Sequence, residues 1–220
     1  MNNKINIKKF NIYFIIMSSD YIIKVLTLGD TAVGKTSIIL RYTKSNFPKK
    51  AISTIGVDFR SKIVDLPDRK KAKILLWDTA GQERFRTVAN NYYNGTDCVL
   101  LVFDLTNQSS FTILNYWIEQ LEQKKRLEDV CLILVGNKSD LEDQIKVNQE
   151  EIEAFTSQYK MKYFEVSALK NEGIDELFKY GIEETLKLLQ SKSEKENGKK
   201  NERISHISQN NNEEKGKCCN

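Results

Sequence analysis

The stretch Gly29-Asp30-Thr31-Ala32-Val33-Gly34-Lys35-Thr36 follows the pattern G-x-x-x-x-G-K-[ST], and its surroundings narrow the fold as much as its letters do. An apolar run, 22–28, precedes it, and an amphipathic pattern reaching about Thr43 follows it. A loop of this kind works as a strand-to-helix connection. Its backbone N–H groups turn inward around a phosphate, its glycines permit close approach, and the helix N-terminus adds positive potential. Lys35 is then placed to reach β- and γ-phosphates, the Thr36 hydroxyl to coordinate Mg²⁺, and Ser37 continues the first helical turn. The pattern denotes a nucleoside triphosphate without naming its base.

The rest of the chain repeats the strand–helix rhythm. Apolar runs at 22–28, 63–66, 74–77, 98–103, 131–135 and 163–166 alternate with helical patterns. Several runs are apolar throughout, as in parallel strands covered on both faces. Helices are predicted over about 34–43 and 109–125, after Asn148 as an N-cap with Glu150 and Glu151 in the first turn, and after Gly173. The last carries Ile174, Leu177, Phe178, Ile182, Leu186 and Leu189 on one face. Asp65-Leu66-Pro67-Asp68-Arg69 reads as a hairpin turn, which adds an antiparallel strand. The sum is an α/β sandwich with a mostly parallel sheet, in which ligands sit at the carboxyl ends of the strands.

Three further motifs fall at such ends. Trp77-Asp78-Thr79-Ala80-Gly81-Gln82-Glu83 ends a strand in a carboxylate, Asp78, suited to Mg²⁺ through water. There Gly81 can offer its N–H to a γ-phosphate, and Gln82 can orient an attacking water. Asn137-Lys138-Ser139-Asp140 follows the run 131–135. The Asp140 carboxylate can accept from the two donors on the guanine edge, a pair adenine lacks, so an ATPase or kinase is disfavoured. The Lys138 stem can cover the base, and Asn137 can tie this loop to the phosphate loop. Ser167-Ala168-Leu169 offers small residues whose N–H groups can approach the guanine carbonyl.

In this order the motifs resemble a Ras-superfamily GTPase. Ile55-Gly56-Val57-Asp58-Phe59, Gln82-Glu83-Arg84-Phe85-Arg86-Thr87 and Tyr92-Tyr93-Asn94-Gly95 resemble the Rab family in particular, over about residues 20–190. The resemblance implies a P-loop GTPase three-layer sandwich with a six-stranded, mostly parallel sheet and one antiparallel strand. It implies GTP and GDP as ligands with Mg²⁺, Thr54 completing the metal shell in the GTP state, and switch segments at about 47–59 and 81–95. It places effector contacts on Ile55, Gly56, Val57, Asp58, Phe59, Trp77 and Tyr92. The partners it implies are an exchange factor, a GTPase-activating protein, effectors, a GDP-dissociation inhibitor and the Rab prenylation machinery. The protein would be a monomer on the cytoplasmic face of intracellular membranes, with a cytosolic pool, acting in vesicle trafficking. Asn94 stands where the family usually has Arg, Leu169 where it has Lys, and Thr31 and Ala32 at positions often Gly or Ser.

The termini read differently. Residues 1–19 form an extension expected to be poorly ordered, and 1–16 precede Met17, a second possible start. The apolar run 10–17 is far short of a membrane span and lacks a small-residue cleavage pattern. Residues 191–220 are rich in Lys, Glu, Asn and Ser and are expected to be a disordered variable tail. His206, the single histidine, lies there, so imidazole catalysis is excluded. Cys218 and Cys219 resemble the paired-cysteine signal for double geranylgeranylation, although they do not form a C-a-a-X box. Cys98 and Cys131 sit in apolar runs and read as buried, reduced thiols. The net charge of +4 is too mild, and too evenly spread in the core, to argue for nucleic acid.

Overall fold

The computed structural model describes residues 19–44, Thr54, 56–81 and 92–215, with side chains described as far as Glu194. Six strands form one sheet: β1 (Tyr21–Leu28), β2 (Val57–Asp65), β3 (Lys71–Thr79), β4 (Cys98–Asp104), β5 (Cys131–Asn137) and β6 (Lys162–Val166). Their order is β2-β3-β1-β4-β5-β6, and only the β2–β3 pair is antiparallel. The helices are α1 (Lys35–Tyr42), α2 (Gln108–Thr112), α3 (Leu114–Glu122), α4 (Gln149–Tyr159) and α5 (Ile174–Lys215).

Why the runs are continuous is visible in β4. Cys98, Leu100 and Val102 enter the core under α1 and α5, while Val99, Leu101 and Phe103 enter the core under α3 and α4. Both faces of the strand are covered, so no polar position is left to alternate. On the second face α3 buries Leu114, Trp117, Ile118 and Leu121 completely, each worth roughly 1.5–3 kcal/mol of apolar burial. On the first, Tyr42 stacks on Phe178 with ring centroids 3.7 Å apart.

The expected helix over 109–125 is two helices. Asn107 caps α2, accepting from Ser109 N at 3.1 Å, and the step at Ile113 separates α2 from α3. The Asn148 cap is present, accepting from Glu150 N at 3.0 Å. The hairpin after β2 turns through Pro67–Arg69 with Asp68 and Arg69 both at φ 60°. Residues 191–215, expected to be disordered, continue α5 as helical backbone to Lys215. These residues include many good helix formers and no proline, so nothing local stops a helix already nucleated on the domain. Lys192 still reaches the body, bonding the Asp129 carbonyl at 2.9 Å and its carboxylate at 3.4 Å.

Candidate functional site

The loops at the carboxyl ends of β1, β3, β5 and β6 meet at one end of the sheet. β1 ends at Leu28, and the chain turns at Gly29 (φ 145°) and passes through Ala32 in the left-handed region (φ 58°). Gly34 (φ 98°) then forms the N-cap of α1 without a side-chain cap, which leaves the first-turn N–H groups of Lys35, Thr36 and Ser37 for an anion. A Cβ on Gly34 would lie 2.1 Å from Asn137 Nδ2, and one on Gly81 2.4 Å from Thr31 N. Both positions are therefore closed to any side chain, and the Gly81 backbone is pressed against the loop formed by Asp30 and Thr31.

Lys35 is 5% exposed, and its ammonium donates to Gly29 O at 3.0 Å and Asp30 O at 2.6 Å. Burial lowers its pKa to about 8, against the pull of Asp78 and Asp30. A desolvated cation of this kind gains from an anion brought beside it. Next to it the Thr36 hydroxyl donates to Asp78 Oδ2 at 2.5 Å and lies 2.7 Å from the Thr54 hydroxyl. Asp78 is buried, which raises its pKa although Thr36 and Lys35 act in the opposite direction; among the described residues its Oδ1 has no hydrogen-bond partner. Two hydroxyls and an orphaned carboxylate oxygen form an all-oxygen set of the type Mg²⁺ prefers. The residues present fit the metal.

The other end of the site is built on Asn137. Its amide donates to Val33 O at 2.8 Å and accepts from Ala168 N at 3.1 Å, so one side chain ties the phosphate loop to the loop after β6. Lys138 turns into the left-handed region (φ 70°) and pairs with Asp104 at 2.5 Å. Burial opposes charge on Asp104, but Lys138 and the Thr106 hydroxyl and N–H hold its pKa below the usual carboxylate range. Asp140 accepts from the Ser167 hydroxyl at 2.6 Å, which fixes its orientation. Leu169 is 63% exposed. Asp104, Thr106 and Arg41 are site residues that the motifs do not flag. Arg41 donates to Ala168 O and Leu169 O, both at 2.7 Å, clamping the base loop to α1. An Asn137→Ala variant leaves Val33 O and Ala168 N unpaired and should cost about 2–4 kcal/mol. Thermal unfolding should show its midpoint roughly 5–15 °C below wild type.

An aromatic patch lies beside the site. The β2–β3 register sets Phe59 opposite Trp77, with ring centroids 4.9 Å apart, and Trp77 meets Tyr92 at 4.8 Å. Phe59 is 42% exposed and the other two are half-buried, so Trp77 belongs to both core and surface. Lys24 supports the patch from β1: its ammonium donates to Tyr92 O at 2.9 Å and Asn94 O at 2.8 Å and lies 5.1 Å from the Trp77 ring. Gly56 (φ 75°) accepts from Ala80 N at 2.8 Å, joining the start of β2 to the end of β3. Gln82, Ile55, Cys218 and Cys219 lie outside the described residues.

The six-stranded sheet and these converging loops define a P-loop nucleotide-binding domain. A family model described as Ras family matches residues 24–187. The chain is 43% identical over 161 residues to GTP-binding protein ypt2 of Schizosaccharomyces pombe, covering 73% of this chain and 80% of that one. It is 42% identical over 160 residues to Ras-related protein RAB1BV of Beta vulgaris, with 72% and 74% coverage. It is 41% identical over 159 residues to human Ras-related protein Rab-8B, with 72% and 76% coverage. The chain belongs to the Rab family of small GTPases within the Ras superfamily. It binds guanine nucleotide, hydrolyses GTP and cycles between GTP and GDP states in vesicle trafficking, as its family does. Among the described residues no helix is long and apolar enough to cross a membrane.

Proposed function

We propose that nucleotide state is read out here through one metal-centred cluster, Thr36, Thr54 and Asp78, and passed to the aromatic patch Phe59, Trp77 and Tyr92. The observation that carries this reading is the convergence of the two threonine hydroxyls, 2.7 Å apart, on the Asp78 side. Thr54 comes from the segment before β2 and Asp78 from the end of β3, while Phe59 and Trp77 are cross-strand partners on those same strands. Thr36 and Thr54, with Asp78 in support, would hold Mg²⁺, which would supply charge neutralisation to the phosphates. Lys35 adds the buried cation, Gly81 offers its N–H, and Gln82 orients the attacking water. Asn137, Lys138 and Asp140, with Ser167, Ala168 and Leu169, hold the base.

The rest of the reading concerns partners. Effectors dock on Ile55, Gly56, Val57, Asp58, Phe59, Trp77 and Tyr92, where exposed aromatic area favours hot-spot contacts. The folded domain spans 20–190, and residues 191–220 form the variable tail. Cys218 and Cys219 carry the lipid chains that hold the protein, as a monomer, on the cytoplasmic face of intracellular membranes. Exchange factor, activating protein, GDP-dissociation inhibitor and prenylation machinery follow from family membership.

Magnesium titration tests the cluster. Thr54→Ala should raise the Mg²⁺ concentration needed for slow GTP dissociation while leaving that for GDP nearly unchanged; Thr36→Asn should raise both. Equal effects of Thr54→Ala on the two nucleotides would overturn the state-specific role. Gln82→Leu should slow single-turnover hydrolysis, measured without an activator, from a wild-type rate on the order of 10⁻⁴ s⁻¹. A rate equal to wild type would remove Gln82 from the water-positioning role.

A further inference from the structure

Cys98 and Cys131 open β4 and β5 at the end of the sheet opposite the nucleotide loops, and the cycle described above makes no use of them. They are direct partners in the parallel ladder, and both side chains enter the core under α5. Adjacent strands run about 4.8 Å apart, inside the range of roughly 4.4–6.8 Å that Cα pairs of disulfides span. Both thiols are free and buried.

The surroundings supply two further observations. Thr185 of α5 is 1% exposed and lies beside both cysteines. One turn earlier is Gly181, where even a Cβ would stand 3.5 Å from Cys98 Sγ, so α5 lies close over the pair. Cys131 also lines a surface cleft of about 520 Å³ together with Leu127, Tyr159, Tyr180, Glu184 and Leu188. A small solute can approach Cys131 from this cleft, whereas Cys98 lies behind it.

Cys131 lines the cleft and Cys98 does not, so an outside oxidant meets the Cys131 sulfur first.

We propose that Cys98 and Cys131 form a redox-active dithiol that a hydroperoxide converts into a cross-strand disulfide. The Cys131 thiolate attacks the peroxide oxygen, forming an S–O bond as the O–O bond breaks. The departing hydroxide or alkoxide takes a proton and leaves as water or alcohol. Cys98 sulfur then attacks Cys131 sulfur; the S–S bond forms, the S–O bond breaks, and hydroxide leaves with the Cys98 proton as water. Two thiols are oxidised by two electrons, and one peroxide is reduced. The new bond joins β4 to β5 without touching the loops that bind nucleotide. It closes the segment 98–131 covalently and should raise the unfolding midpoint by on the order of 5 °C or more.

The test uses the full chain carrying Cys218→Ser and Cys219→Ser, so that terminal thiols do not compete. Nucleotide-loaded protein is treated with hydrogen peroxide, quenched, alkylated under denaturing conditions and measured by intact mass and peptide mapping. The expected product has lost two hydrogens, takes up no alkylating reagent, yields a linked peptide pair containing Cys98 and Cys131, and returns to the dithiol on reduction. Cys98→Ser should stop at a sulfenic acid on Cys131 that dimedone traps, and Cys131→Ser should leave Cys98 freely alkylated. Where either core variant fails to fold, the peptide map of the parent still decides. Full alkylation of both cysteines after peroxide treatment that leaves nucleotide bound would overturn the proposal, as would disulfides only between chains.

Discussion

Asp140→Asn should weaken guanine nucleotide binding by two to four orders of magnitude while leaving the domain folded. The guanine edge presents two donors side by side, and a carboxylate accepts both. Hydrogen bonds to a charged group are worth about 1.5–3 kcal/mol each, so the pair supplies roughly 3–6 kcal/mol. In the variant one carboxylate oxygen becomes an NH₂ group, which faces a guanine donor and leaves two donors opposed. A base with a carbonyl at that position, xanthine, restores complementarity, so the variant should prefer xanthine nucleotides. Competition of GTP, XTP and ATP against a fluorescent guanine nucleotide measures this directly. The Ser167 hydroxyl, 2.6 Å from Asp140 Oδ1, already fixes the carboxylate, and Asn at 140 can still accept that bond, so orientation should survive. Guanine affinity within threefold of wild type would show that Asp140 does not contact the base.

Much of this site was legible because its residues act through local geometry. The phosphate loop needs a strand behind it and a helix ahead, and the sequence carries both around Gly29 and Lys35. Asp140 and Asn137 sit at the end of a strand whose apolar run is unbroken. What stayed hidden are side chains whose partners are distant backbone carbonyls. Arg41 bonds residues 127 and 128 positions away, and Lys24 bonds residues 68 and 70 positions away. No local pattern marks such a contact, because any carbonyl can accept it. The Lys138–Asp104 pair was hidden for a similar reason, as it joins the ends of two strands that only the sheet brings together. β2 was seen only as the run 63–66, whereas it spans Val57–Asp65. It is the edge strand, and the polar residues Asp58, Ser61 and Asp65 at exposed positions interrupt the apolar run. The tail's composition lacks apolar residues for a core, yet its backbone continues α5, since a helix continued from a docked segment does not need one.

Lys35→Met should have opposite effects on binding and on stability. Lys35 titrates at about 8 in the folded protein, against 10.5 in an exposed lysine, chiefly because it is buried. Between these values the unfolded chain binds more protons than the folded one, so the Lys35 contribution to stability rises with pH over that window. Below it the buried ammonium costs roughly 3 kcal/mol. Methionine fills similar space without charge, but it forfeits the bonds to Gly29 O and Asp30 O, about 1–2 kcal/mol. Protein stripped of nucleotide should therefore gain about 1–2 kcal/mol at pH 7, and the rise in stability between pH 8 and 10.5 should flatten. Nucleoside triphosphate binding should weaken by about 3–5 kcal/mol, since a buried charge pair loses one member. Denaturant unfolding across this pH range, set beside nucleotide affinity at pH 7, reads both effects. A stripped variant no more stable than wild type at pH 7 would mean that the two backbone carbonyls already offset the desolvation of Lys35. A stabilised variant would mean that the cation is held at a cost to the fold, which the phosphates repay on binding.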